Sequence, residues 1–221
     1  MIEFENVGKT FGRISALQDV TFKVNDGEFV FIIGPSGAGK TTLLRLILRE
    51  YKPTSGMIKV DGTDITKIKK RDIPSLRQKI GTVFQDFKLL PERTIRENIE
   101  VALAIKNVNK LEWTNRVNQV LKLVGLEERA DLFPAQISGG EIQRVSIARA
   151  LVVNPVLIFA DEPTGNLDWE TGDAIMDLLV KINKEGKTII VTSHNRPIIK
   201  KYGKRIIEMK DGKVIKDYKN K

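Results

Sequence analysis

The sequence predicts an α/β protein built on a parallel sheet, and three observations predict it. Apolar runs that suit buried strands occur at Glu28–Ile33, Val156–Ala160 and Thr188–Thr192, alternating with helix-length segments. A glycine-rich stretch, Gly34–Thr41, sits where the first of these runs ends and a helix begins. From about residue 88 to 150 the strand pattern is lost and only helical segments remain, which reads as a lobe inserted between two core strands.

Ile2–Val7, Val20–Val24 and Met57–Asp61 read as short strands, the last closed by an Asp61-Gly62 turn, and predict a small antiparallel sheet beside the core. Gly39–Leu48 reads as a helix after the strand Glu28–Ile33, and Lys79–Phe84 as a further strand. Thr94–Ile105, Leu111–Val124 and Gly139–Val153 read as helices, with Gly125 and Pro134 as breaks. A helix around Gly172–Glu185 joins the strands Val156–Ala160 and Thr188–Thr192. Arg205–Met209 and Lys213–Asp217 flank Asp211-Gly212, a hairpin signal. The expected organisation is a single domain, 1–221, with a core and β subdomain at 1–87 and 154–221 and a helical subdomain at 88–153.

The chain has 221 residues, 41% of them apolar, enough for one sizeable core or a core with a small lobe. With no cysteine, disulfides and thiolate zinc sites are excluded, and the composition fits a reducing cytoplasm. No charged segment leading into an apolar stretch opens the chain, so no signal peptide is expected. The longest apolar runs, Phe29–Ile33 and Val156–Ala160, fall far short of the ~20 residues that span a bilayer, so a membrane role needs a partner that supplies the span. Net charge is +9, and residues 200–221 hold nine Lys or Arg against three Asp or Glu. These basic residues are interleaved with strand-like apolar ones and read as a solvated surface, so no nucleic-acid partner is expected.

Gly34-Pro35-Ser36-Gly37-Ala38-Gly39-Lys40-Thr41 fits the P-loop pattern in full. Its glycines let the backbone wrap a phosphate, Lys40 is expected to reach the β- and γ-phosphates, and Thr41 to offer its hydroxyl to Mg²⁺. Val156–Glu162 is an apolar strand ending in two acids, which places Asp161 and Glu162 at the sheet's C-terminal edge beside the loop. Asp161 reads as a Mg²⁺ partner and Glu162 as the general base that orients water. A second carboxylate is not needed for binding alone, so the pair points to hydrolysis. Ser138-Gly139-Gly140-Glu141-Ile142-Gln143-Arg144 opens a helix with a hydroxyl and bare N–H groups, a second anion-holding turn. Two such turns in a short chain suggest that one serves a nucleotide held mainly by another molecule.

With these motifs in this order, the chain resembles the ATP-binding-cassette (ABC) ATPase family from Ile2 to about Val214. The resemblance implies a P-loop NTPase (RecA-like) core with an N-terminal antiparallel β subdomain and an inserted α-helical subdomain, and hydrolysis of ATP with Mg²⁺. It implies that Gly34, Pro35, Ser36, Gly37, Ala38, Gly39, Lys40, Thr41 and Thr42 bind the nucleotide, that Phe11 stacks on adenine, and that Thr41, Gln85 and Asp161 hold the metal. Glu162, His194, Gln85 and Lys40 are the implied catalytic residues, His194 being the only histidine of the chain. Ser138, Gly139, Gly140 and Glu141 match the signature motif, which caps the γ-phosphate of ATP on an opposite subunit, and Asp168 in Gly165–Asp168 reaches across the same interface. The implied assembly is a head-to-tail homodimer.

Val83–Thr94 and Gly27–Val30 are similar to the family's cell-division subgroup. That resemblance implies an integral membrane partner, a peripheral location on the cytoplasmic face of the membrane, and membrane contact through the partner, with ATP-driven closure activating cell-wall hydrolases. A cytoplasmic helix of the partner is expected in a groove near Gln85 and Phe87–Leu90. Relatives in macrolide export and lipoprotein release share the Gly-Asn-Leu-Asp and Ser-Gly-Gly-Glu forms and are the main competitor. A soluble DNA-associated ABC ATPase is the alternative of another class; its long coiled coil between P-loop and signature has no counterpart in the 97 residues between Lys40 and Ser138. A bare P-loop kinase leaves Ser138–Arg144 unexplained. Three positions depart from the commonest family pattern: Glu141 for Gln, Asn195 for Asp and Phe11 for Tyr.

Overall fold

The computed structural model describes residues 2–220, so Lys221 of the basic tail lies outside the described residues. In chain order the elements are β1 (Ile2–Phe11), β2 (Ile14–Val24), β3 (Phe29–Ile33), α1 (Lys40–Ile47), β4 (Ser55–Val60), β5 (Thr63–Asp64), α2 (Ile73–Arg77), β6 (Ile80–Val83), α3 (Ile95–Ile105), α4 (Trp113–Val124), α5 (Gly139–Leu151), β7 (Leu157–Asp161), α6 (Trp169–Lys184), β8 (Thr188–Ser193), α7 (Arg196–Tyr202), β9 (Arg205–Lys210) and β10 (Lys213–Lys219). They form an antiparallel sheet in the order β2-β1-β4-β5 and a six-stranded sheet in the order β10-β9-β3-β8-β7-β6. The larger sheet is parallel except for the closing hairpin β9–β10. This is the α/β P-loop NTPase architecture with an antiparallel β layer and a helical insertion.

The central strands read as unbroken apolar runs because both faces are buried. Phe31, Ile158, Ala160, Ile189 and Val191 point into a core closed by α3 to α7. Their alternates Val30, Ile32, Leu157, Phe159 and Ile190 point into a second core shared with α1, β1, β2 and β4. The period-2 alternation of one sheet thus joins the antiparallel layer to the helical side. Helix α5 lies at the centre of the helical side, against α3, α4, α6 and β6. It buries Val145, Ile147, Ala148 and Leu151, and even the polar Gln143 and Ser146.

Several boundaries differ from the expected ones, each for a local reason. The first hairpin is longer at its turn end: β1 continues to Phe11 and β2 starts at Ile14. Register shifts between Phe4 and Thr10 break the alternation that would have announced it. α6 begins at Trp169 and not near Gly172, because Asp168 caps it by accepting the Thr171 N–H at 2.9 Å. Two short helices carry too few turns to show periodicity: α2, and α7, which Asn195 caps and Pro197 opens.

Candidate active site

The loop between β3 and α1 is shaped by two glycines. Gly34 has φ +154°, and a Cβ there would lie 2.3 Å from the Met209 carbonyl oxygen. Gly39 has φ +104°, and its Cβ would meet Leu17 Cδ2 at 2.6 Å. Any side chain at either position would push the loop off β9 or β2. The first turn of α1 has no acidic residue, so its N-terminal N–H groups and dipole face the loop unopposed. Lys40 is buried, and its ammonium donates to the carbonyls of Gly34 at 2.8 Å and Pro35 at 3.2 Å.

The acidic edge is built by β7 and β8 lying side by side, with Asp161 opposite Thr192. One hydroxyl serves both acids. Thr192 Oγ1 donates to Asp161 Oδ1 at 2.5 Å and accepts the Glu162 N–H at 3.0 Å. Glu162 adopts φ +48°, a left-handed backbone that costs a non-glycine residue roughly 1–2 kcal/mol. The strand-end bonds hold it there. Its carboxylate lies 2.9 Å from His194 Nδ1 and 3.9 Å from Lys40 Nζ. The Glu162 side chain is 14% exposed, whereas His194 is 68% exposed. A buried carboxylate beside an exposed imidazole is an arrangement that suits proton uptake.

Thr41 Oγ1 donates to Asp161 Oδ2 at 3.4 Å, so a hydroxyl and a carboxylate oxygen from opposite sides of the site converge. Gln85 lies just past β6, and its amide reaches Asn166 Oδ1 at 3.4 Å while Asn166 donates back to the Gln85 carbonyl at 3.0 Å. Residues 35–42, Gln85, Asp161, Glu162 and His194 together line one cleft of about 440 Å³. Residues up to 159 positions apart meet there because β3, β8, β7 and β6 are adjacent and parallel, so their C-terminal ends share an edge. Two hard oxygens facing a phosphate-shaped loop fit Mg²⁺, which takes few protein ligands and completes its shell with water and phosphate. Among the described residues no cluster of three His, Cys, Asp or Glu side chains could hold a metal alone.

The other expected site residues lie outside this lining. Ser138 caps α5 in a closed box: its Oγ accepts the Glu141 N–H at 3.3 Å, and its own N–H donates to Glu141 Oε2 at 2.8 Å. The Ser138 hydroxyl also lies 2.8 Å from Glu141 Oε2, and Arg129 reaches the other oxygen at 3.4 Å. These bonds, led by the Ser138 backbone N–H, hold the Glu141 carboxyl below its ordinary range. A Cβ on Gly140 would lie 2.3 Å from Thr171 Cγ2, so the start of α5 packs on the start of α6 beside Asp168. Ser138, Gly139, Gly140, Glu141 and Asp168 therefore share one edge, separate from the cleft lining. Phe11 sits apart from both, 38% exposed, its ring edge-on to Tyr51 at 4.9 Å and under the Lys9 ammonium at 4.7 Å.

Sequence reasoning missed Thr192 and Asn166. Thr192 closes the apolar run Thr188–Thr192 two residues before His194, but only the pairing of β7 with β8 shows that it holds both acids. Asn166 lies inside the quoted Gly165–Asp168 stretch, but only the fold shows that it grips Gln85.

Comparison with known proteins gives consistent relatives. The family model described as "ABC transporter" matches residues 17–165. The chain is 46% identical over 218 residues to the cell division ATP-binding protein FtsE of Bacillus subtilis (strain 168), covering 98% of this chain and 96% of that protein. It is also 46% identical over 220 residues to the methionine import ATP-binding protein MetN of Geobacillus kaustophilus (strain HTA426), covering 97% of this chain and 64% of that protein. Among solved structures, the dimeric post-hydrolysis state of the ATP-binding cassette MJ0796 bound to ADP and Pi is similar with a TM-score of 0.88 and 41% identity, covering 99% and 98% of the two chains.

Proposed function

Because the chain belongs to the ABC transporter family and is an ATPase, we propose that it is the MgATP-hydrolysing subunit of an FtsEX-like membrane complex acting in cell division. Its partner in this reading is an integral membrane protein resembling FtsX, and ATP-driven closure activates cell-wall hydrolases through it. The observation that supports this most directly is the end-to-end similarity to FtsE at 46% identity. No helix among the described residues is long and apolar enough to cross a membrane, so the reading assigns the span to the partner.

In the mechanism, the N–H groups of residues 34–42 and the Lys40 ammonium bind the phosphates, and Phe11 stacks on adenine. Thr41, Asp161 and Gln85 hold Mg²⁺, which supplies charge neutralisation at the phosphates when bound. Glu162 orients a water and takes its proton as the water oxygen bonds to the γ-phosphorus and the bond to the β–γ bridging oxygen breaks. His194, 2.9 Å from the Glu162 carboxylate, holds that base in place and contacts the γ-phosphate. Ser138, Gly139, Gly140 and Glu141 cap the nucleotide of a second copy, and Asp168 meets that copy, giving a head-to-tail homodimer with two sites. The helical segment 88–153 carries the motion of closure to the membrane partner.

A transport ATPase is the second reading, favoured by the equal identity to MetN. It includes the macrolide-export and lipoprotein-release types. Depletion of the chain separates the two. Filamentation or septation defects, with a membrane protein co-purifying with the tagged chain, are the expected result. Normal division with loss of solute uptake or export establishes the transport reading instead.

A further inference from the structure

Gln143 belongs to the stretch Ser138–Arg144 but reaches neither the cleft lining nor the box that caps α5. It starts the second turn of that helix and is fully buried. Its Nε2 donates to the Pro163 carbonyl at 2.6 Å. Its Oε1 finds no partner among the described residues, and Ser146 Oγ, one turn further along α5, is buried and unpartnered as well. A buried amide left half-satisfied is unfavourable, and an apolar side chain of similar volume would avoid the penalty. The half of the amide that is used, its bond to Pro163, is the part that sets this residue apart from its apolar neighbours.

Pro163 follows Glu162, whose backbone is doubly constrained. Its φ of +48° is left-handed, and the ring of a following proline restricts it further. On its N-terminal side the bonds come from β8: the Glu162 N–H donates to the Thr192 carbonyl at 3.2 Å and to Thr192 Oγ1 at 3.0 Å. On its C-terminal side the Glu162 carbonyl accepts the Gly165 N–H at 3.0 Å, a bond within the turn itself, and Pro163 has no N–H to offer. The Pro163 carbonyl ties this turn to α5 through Gln143. The first turn of α5 packs on the residues that follow: a Cβ on Gly139 would lie 3.6 Å from Leu167 Cδ2, and one on Gly140 2.3 Å from Thr171 Cγ2. Helix and loop therefore meet along their length, with the Gln143 amide as a buried polar link between them.

We propose that Gln143 is a positioning residue for the hydrolysis. By holding the Pro163 carbonyl it fixes the backbone of Glu162, so the base is set only while α5 is seated against the turn. This role rests on the assignment of Glu162 as the base in the proposed function. It makes one helix serve two sites: the first turn of α5 meets a second copy, and the second turn holds the base of its own chain.

The test uses the full chain, with turnover read by phosphate release and affinity by a fluorescent ATP analogue. Gln143→Leu and Gln143→Met both remove the amide at similar volume, so either serves if the other folds poorly. In each, kcat should fall about tenfold to a hundredfold, the effect of a small displacement of a reacting group, while nucleotide affinity stays as in the native chain. Amide hydrogen exchange should quicken at residues 163–168 and stay unchanged in β7 and β8. Because Gln143 acts through Glu162, adding Gln143→Leu to Glu162→Gln should lower the remaining single-turnover rate by less than about twofold. Losses that multiply, a fall in affinity as large as the fall in kcat, or variants that turn over like the native chain each overturn the role of Gln143 and leave the base assigned. If Glu162→Gln alone turns over like the native chain, the assignment of the base fails and the role of Gln143 with it.

Discussion

The cleft at the start of α1 and the edge formed by the starts of α5 and α6 are both built from helix N-termini and polar side chains, yet they are finished differently. In the cleft, groups from β3, β6, β7 and β8 cross-brace one another: Thr192 ties Asp161 to Glu162, His194 ties Glu162, and Thr41 faces Asp161. At the other edge the capping bonds are local, and Arg129 adds an ion pair to Glu141 from outside the turn. Ser138 and Glu141 satisfy each other within one turn, and Asp168 satisfies Thr171 within another. The difference teaches where the functional unit ends. A cleft whose carboxylates, imidazole and ammonium converge in one chain suits the reacting groups. An edge whose caps are satisfied within their own turns, with Arg129 added at Glu141, suits contact with a second molecule.

The strongest way to break that comparison is Glu162→Gln. Turnover should fall by about 10²–10⁴-fold, the usual contribution of a general base, with nucleotide affinity retained. Phosphate release and nucleotide titration measure the two, and unchanged turnover would remove the base from the cleft. A smaller effect is expected from Ser138→Ala. Losing the cap should cost about 1 kcal/mol in denaturant unfolding. Turnover should drop while the dilute chain binds ATP as before; a matching loss of affinity would place Ser138 in its own chain's cleft.

The smallest effect is a pH dependence that sharpens the role of Glu141. Its carboxyl is held below the ordinary range in the folded chain, so its stabilising contribution is present above the unfolded-state value and is lost as pH falls through the lowered folded value. The Tm advantage of the native chain over Glu141→Gln should therefore be constant near neutrality and shrink as acid is added below about pH 4. A gap that persists to low pH would show that the charge of Glu141 does not support the cap.

Much of this was legible in the sequence where the signal is local. The loop Gly34–Thr41 lies between a strand and a helix, and Asp211-Gly212 turns the last hairpin, each encoded within a few consecutive residues. Phe11, read as an adenine platform by position, lies on the surface beside Tyr51, outside both hydrophobic cores. Thr192 was not legible because its two bonds depend on β7 lying next to β8 in register.

What the sequence by itself determined is therefore most of the longer elements and the glycine-rich loop Gly34–Thr41 between a strand and a helix, since hydrophobic period, caps and glycine backbone preferences act over one or two turns. What only the tertiary structure decided is the company each residue keeps. The strand order β9-β3-β8-β7-β6 brings Lys40, Gln85, Asp161, Glu162 and His194 to one rim. The packing of α5 on β6 hands Arg149 to the loop after Gln85, where it donates to the carbonyls of Phe87 and Lys88. Both follow from burying two faces of one sheet at once, a requirement that couples residues far apart in the chain and leaves no mark on any short stretch of it.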